Sequence, residues 1–85
     1  MPDTRSLPLL RRYNVVLHRA ADKTLWFVVR VLRELTRFAE AEAMARMWDS
    51  YNAGRSVVLA THLERAELFV EQFADHGLTV SLEPA

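Results

Sequence analysis

The chain contains no cysteine. Disulfides and thiolate metal sites are therefore excluded, and the composition fits a reducing compartment, so the expected location is the cytoplasm. Glycine is scarce, at two residues in 85, and no Gly-rich loop is present to cradle a phosphate. No stretch approaches the ~18 apolar residues that a membrane span requires. Met1 to Leu10 lacks an apolar segment of useful length, so no secretory signal is expected. Net charge is absent as well. A nucleic-acid binder normally shows a clear basic excess, so no nucleic acid is expected as a partner.

What remains is a chain that is 51 % hydrophobic and 26 % charged, the balance of a globular protein. A domain of this size buries only ~60–65 % of its unfolded surface, so one core is expected. The sequence does not fix the oligomeric state, and a monomer is the favoured reading. The charges are unevenly placed. Residues 1 to 38 carry eight Lys and Arg against Asp3, Asp22 and Glu34, a net +5; residues 39 to 85 carry three Arg against eight acids, a net −5. Such polarity suits electrostatic docking on another protein. A solvated surface with incidental asymmetry is the plainer reading of the same charges.

Residues 1 to 11, MPDTRSLPLLR, hold two prolines and no period. They read as a flexible tail, and 12 to 85 as the folded domain. Tyr13 to His18 favours the pleated conformation, with Tyr13, Val15 and Leu17 on one face. Asp22 or Thr24 can cap the helix that follows. From Leu25, the residues Val28, Val31, Leu32 and Leu35 recur at helical spacing. The run from Leu25 to Val29 is wider than one stripe needs, which places at least one of Trp26 and Phe27 at the surface or in a groove.

A second helix is expected from about Ala39 to Tyr51, with Ala43, Met44, Met47, Trp48 and Tyr51 inward and Glu42 paired to Arg46. Gly54 suits the left-handed residue after its end. Ser56 to Thr61 reads as a strand, and Thr61 with Glu64 as a capping box. The third helix turns Leu63, Ala66, Phe69 or Val70, Phe73 and Ala74 inward and stops at His76-Gly77. Leu78 to Glu83 alternates as a strand with one wet face. The order is β-α-α-β-α-β. Three short strands do not stand alone, so the three helices should cover one face of a three-stranded sheet in a two-layer α+β sandwich.

Little here supports catalysis, and no enzyme activity or cofactor is expected. His18, His62 and His76 fall in three separate connections without metal-ligand spacing. Each reads as a surface or capping residue. Met44, Met47 and Trp48 at helical spacing read first as core. The sharper reading is a cavity between the first two helices, lined by Leu25, Val28, Met47 and Tyr51. Methionine adapts to varied apolar ligands and aromatic walls supply stacking area.

The stretch from Tyr13 to Ala85 resembles the ClpS family, adaptors of the Clp AAA+ protease. The resemblance is carried by Tyr13-x-Val15-Val16-Leu17-His18 and Phe27-Val28-Val29-x-Val31-Leu32. It continues through Glu42-Ala43, Met47, Gly54-Arg55 and Ser81-Leu82-Glu83-Pro84-Ala85, with a third helix shorter than usual. It implies the same sandwich, and an adaptor that binds the N-terminal residue of a substrate and delivers it to a Clp-type AAA+ unfoldase. By this resemblance the apolar part of a peptide pocket falls on Leu25, Val28, Met47 and Leu78, with Leu25 where the family has its gatekeeping Met.

The polar part departs from the family. The Asn-Asp-Asp run that holds a free α-amino group is replaced by Arg19-Ala20-Ala21, followed by Asp22 and Lys23, and the family's His by Tyr51. An ammonium offers only donors and needs acceptors. Arg19 and Lys23 would repel it, and two alanines offer it no side-chain oxygen. Tyr51 and Asp22 are the acceptors left nearby. Two readings follow: an adaptor that still presents substrate N-termini, or a diverged module that takes an anionic or modified ligand or an acidic partner. On the protease side, Glu64 matches the family's acidic docking position. The basic residue that follows in the family is missing from Ala66-Glu67-Leu68-Phe69, where Phe69 reads as core.

Overall fold

The computed structural model describes residues 11–85; the expected tail lies outside the described residues except for Arg11. The elements are β1 (Arg12–His18), α1 (Leu25–Thr36), α2 (Glu40–Ala53), β2 (Arg55–His62), α3 (Leu63–Asp75) and β3 (Val80–Pro84). The sheet order is β2-β1-β3, with both pairings antiparallel. This is the expected α+β sandwich, with β1 in the middle.

The central strand earns its position through its side chains. Val15, Val16 and Leu17 are all fully buried. Val15 and Leu17 join the helix-side core with Val28, Val31, Leu32, Phe69 and Phe73. Val16 points to the other face, where no helix lies. The register explains its burial. Asn14 and His18 flank Val16 on that face, Asn14 opposite Glu83 and His18 opposite Arg55. Arg55 and Glu83 form an ion pair from one outer strand to the other, passing over Val16. His18 Nε2 and Ser81 Oγ share a hydrogen bond of 2.6 Å beside it.

Helix ends follow local chemistry. Thr24, not Asp22, caps α1: its Oγ1 accepts from the Phe27 amide at 3.1 Å. Thr24→Ala should cost about 1 kcal/mol, readable as a lowered urea midpoint at unchanged slope. No change would mean that the cap bond has no net worth here. Gly54 ends α2 with φ 86°, as its position suggested. Arg46 pairs with Glu42 at 2.7 Å.

Four expectations are corrected. The capping box does not form. Helix α3 begins at Leu63 with His62 as its cap residue, so Thr61 stays in the strand, paired with Tyr13, one position too early. In α2 the buried positions are Ala43, Met47 and Ser50, while Trp48 and Tyr51 are exposed. The Ser50 hydroxyl is satisfied by donating to the Met47 carbonyl at 2.7 Å, which lets a polar residue take the inward position. Ala74 is exposed, and the buried stripe of α3 is Ala66, Phe69 and Phe73. Finally, Leu78 and Thr79 precede the last strand. Gly77 at φ 77° closes α3, with Gly77 N–H donating to Ala74 O at 2.9 Å and Leu78 N–H to Phe73 O at 3.0 Å. This is the Schellman arrangement, and its apolar contact is made by the residue after the glycine. Leu78 therefore folds inward beneath the helix end. Pro84 is accommodated inside β3 because that strand is an edge.

Candidate functional site

Three chain connections meet where β1 ends. The His18 amide donates to Thr79 O at 3.0 Å and the Arg19 amide to Gly54 O at 3.1 Å. These bonds tie the β1–α1 joint to the α3–β3 and α2–β2 connections. The Lys23 amide donates to Ala20 O at 3.1 Å, closing a turn over Ala20 to Lys23, and Thr24 then starts the helix.

The side chains of this joint place positive charge on both sides of Ala20 and Ala21. Arg19 reaches the end of α2, where Nε donates to the Tyr51 carbonyl at 2.8 Å and Nη2 donates to the same oxygen. Its guanidinium also lies over the Tyr51 ring, 5.3 Å from the centroid. A carbonyl in the last turn of a helix lacks an intrahelical partner and attracts a cation, so Arg19 acts as a cap for α2. On the other side Lys23 Nζ sits 3.3 Å from Asp22 Oδ2. Its side chain also packs over Gly77: a Cβ there would lie 3.0 Å from Lys23 Cε and Nζ. Ala20 packs against the core, whereas Ala21 and Asp22 are exposed.

The apolar residues divide. Val28, Met47 and Leu78 are buried core residues. Leu25 is half-buried and, with Met47, lines a slot of about 100 Å³ between α1 and α2; its other walls are Trp26, Val29, Met44 and Trp48. Val28 and Tyr51, expected beside Leu25 and Met47 in one cavity, do not line this slot. Of its other walls, Trp26 is one of the two residues that the wide apolar run from Leu25 to Val29 places at the surface or in a groove, whereas Met44 and Trp48 read as core and Val29 as part of that run. Glu64 lies exposed in the first turn of α3, away from the joint. The histidines are dispersed, and no group of three or more His, Asp and Glu that could hold a metal occurs among the described residues.

The sequence profile of the family described as ATP-dependent Clp protease adaptor protein ClpS matches residues 10–81. The chain belongs to the ClpS family. Among ClpS relatives, the adapter of Synechococcus sp. (strain CC9902) is 35 % identical over 74 residues, 86 % of this chain and 71 % of the relative. That of Synechococcus elongatus is 32 % identical over 74 residues, covering 86 % and 78 %. The structure of Agrobacterium tumefaciens ClpS2 bound to L-phenylalaninamide superposes with a TM-score of 0.84 at 25 % identity, over 88 % of this chain and 98 % of that one. This ClpS chain therefore keeps the adaptor fold almost throughout. At its β1–α1 joint Arg19 is latched onto the Tyr51 carbonyl. Among the described residues no helix is long and apolar enough to cross a membrane.

Proposed function

We propose that this ClpS-family chain binds a peptide segment of a substrate or partner at the β1–α1 joint, with Leu25, Val28, Met47 and Leu78 as its apolar side, and presents the bound protein to a Clp-type AAA+ unfoldase in the cytoplasm, with Glu64 at the docking surface. The observation that carries this reading is the match to an adaptor family over nearly the whole described chain, joined by a structural neighbour that holds an amino-acid amide. The test is co-purification with a Clp unfoldase and delivery of a reporter protein for degradation. Glu64→Arg should weaken that capture several-fold while leaving peptide binding unchanged. Failure of the native chain to associate with the unfoldase would remove the adaptor role.

The Arg19 latch favours a second reading of the ligand. A fixed guanidinium on the Tyr51 carbonyl supplies positive charge and also uses an oxygen that an ammonium would need. Such a joint suits an N-terminus without charge, such as a formylated or acetylated one, or an anionic group. Fluorescence anisotropy decides the point. Peptides beginning with free Phe, Leu or Trp are compared with their N-acetylated forms and with peptides offering a C-terminal carboxylate. Acetylation is expected to preserve or improve binding. Binding that acetylation abolishes would establish recognition of the free amine and sink this second reading.

A further inference from the structure

Two rows of exposed side chains face away from the sheet. On α1 the row is Trp26, Arg30 and Arg33, continued by the cap residue Arg37. On α3 it is Glu64, Leu68, Glu71 and Asp75, with Glu67 beside it. Both rows step by four, three and four residues, the repeat that keeps side chains on one face of a helix. Each lies opposite its own buried stripe, Val28, Val31 and Leu32 on α1 and Ala66, Phe69 and Phe73 on α3. The α1 row carries three positive charges and the α3 row three negative ones. Each also holds one exposed apolar residue, Trp26 at 65 % and Leu68 at 49 %.

The chain itself makes little use of either row. Among the described residues Glu64, Glu67, Glu71, Asp75 and Arg37 form no ion pair. Arg30 and Arg33 touch Glu34 and Glu40 only at 4.0 and 3.9 Å. Arg65, the cation nearest the α3 row, is drawn over the Phe69 ring, 5.3 Å from its centroid. Between α1 and α3 the charged contact is His76 Nε2 to Glu34 Oε2 at 3.8 Å, and both residues lie outside the rows. The fold sets the rows in opposite directions on one face of the sheet. Helix α1 starts at the joint, and α3 ends beside it, where the His18 amide meets Thr79 O. Helix α3 starts after His62, which pairs with Arg12 at the far end of β1.

We infer that the helix layer is a self-association surface, on which two copies of this chain pair α1 of each against α3 of the other. A two-fold axis along the helices lays both pairs antiparallel at once. The shared spacing then sets Arg30 against Glu71 and Arg37 against Glu64. Arg33 falls opposite Leu68, its stem on the leucine and its guanidinium toward Glu67. Trp26 lies over the last turn of α3. Symmetry doubles every contact. An unrelated acidic helix would match α1 alone and leave the α3 acids unanswered, whereas a second copy answers both rows, which selects it as the occupant. Each row is only ~16 Å long, so the interface belongs to the small, weak class. It is held largely by charge, and the expected monomer is its form at high ionic strength. The pairing does not depend on the proposed adaptor role.

Sedimentation velocity of the full chain tests this. In ~0.01 M salt, where charges are screened only beyond ~30 Å, a dimer fraction that grows with concentration is expected; in ~1 M salt, where screening acts at ~3 Å, it should vanish. Two double variants are compared, Arg30→Glu with Arg33→Glu, and Glu67→Arg with Glu71→Arg. Each should weaken self-association ~4- to 1000-fold, because symmetry makes it remove four exposed ion pairs. Mixed in equal amounts, the two variants should associate again, since every row then faces one of opposite sign. Circular-dichroism melts confirm that both variants fold. A chain that is monomeric at all concentrations in low salt would overturn the inference. So would a dimer that salt does not dissociate, or a mixture of the variants that stays monomeric. A native chain that remains monomeric yet binds a poly-glutamate peptide, and loses that binding with Arg30→Glu and Arg33→Glu, would assign the α1 row to an acidic partner and overturn it as well.

Discussion

Phe73→Ala is expected to bring the domain close to unfolding at physiological temperature. Phe73 is fully buried and ranks first among the largest such side chains. It performs two tasks. Its ring packs at 43° against Phe69, with centroids 6.3 Å apart. Its carbonyl also receives the Leu78 amide that folds the chain from α3 toward β3. Truncating a buried Phe costs ~3–5 kcal/mol through lost transfer energy and the cavity left behind. At ~0.05–0.15 kcal/mol per residue, a chain of this length holds only ~4–13 kcal/mol in total. For a small domain each kcal/mol moves the melting temperature by ~4–8 °C, so a fall of ~12–40 °C is expected in a circular-dichroism melt. Phe73→Leu keeps most of the volume and should lose far less. The effects of Phe69→Ala and Phe73→Ala should not add, because the rings touch. A Phe73→Ala melt within ~5 °C of the parent would show that this core is more plastic than its packing suggests.

The same core was largely legible in the sequence, and the reasons are local. Val15, Val16 and Leu17 announce a strand because their side chains favour the pleated conformation; that it is the central one shows only in the sheet order. Val28, Val31 and Leu32 repeat with a single period, and Thr24 and Gly54 are residue types whose conformational preferences match the element ends. The misreadings arise where two structures share one pattern. Leu78 could begin an alternating strand or be the apolar residue after a Schellman glycine, and only the contact with the end of α3 decides. Thr61 and Glu64 have capping-box spacing, yet the strand ladder holds Thr61 one residue short. In α2 the aromatic residues Trp48 and Tyr51 outweigh Ser50 on any hydropathy count. Ser50 nevertheless turns inward, because a bond to its own helix satisfies it.

The site was less legible than the fold because it depends on contacts distant in sequence. That the resemblance implies a departure at Arg19-Ala20-Ala21 is plain from the residues. That the Arg19 guanidinium reaches a carbonyl 32 residues further on is not, since it requires the end of β1 to be tied against the turn at Gly54. The slot depends on how α1 and α2 lie against one another, and no spacing within either helix encodes that. Trp26 and Trp48 belong to different elements and become neighbours of one cavity only after folding.

The Arg19 latch makes the sharpest functional prediction. The double substitution Arg19→Asn with Ala20→Asp should raise affinity for peptides with a free N-terminal Phe by two to four decades. Removing an exposed cation relieves ~0.2–1 kcal/mol of repulsion and releases the Tyr51 carbonyl. An added carboxylate gives the ammonium a charge-assisted hydrogen bond of ~1.5–3 kcal/mol, and the amide a neutral one of ~0.5–1.5 kcal/mol. At ~1.4 kcal/mol per decade the sum is about two to four decades. Arg19→Asn alone should recover only the smaller part. The pH dependence should reverse in sign. A peptide α-amino group titrates near ~7.7–8.0. In the native joint, with Arg19 and Lys23 present, the protonated amine is the disfavoured form, so affinity for free N-termini should rise as pH increases through this range. In the double variant the protonated amine is the favoured form, so affinity should fall over the same range. N-acetylated peptides carry no such group and should show neither trend. Anisotropy titrations at pH 6.5, 7.5 and 8.5, set around that range, with a thermal melt to confirm that Ala20→Asp still folds, separate the cases. A native chain whose affinity already falls with rising pH would show that Asp22 and the Tyr51 hydroxyl hold the ammonium despite Arg19. The latch would then be a structural cap on α2, with no part in choosing the ligand.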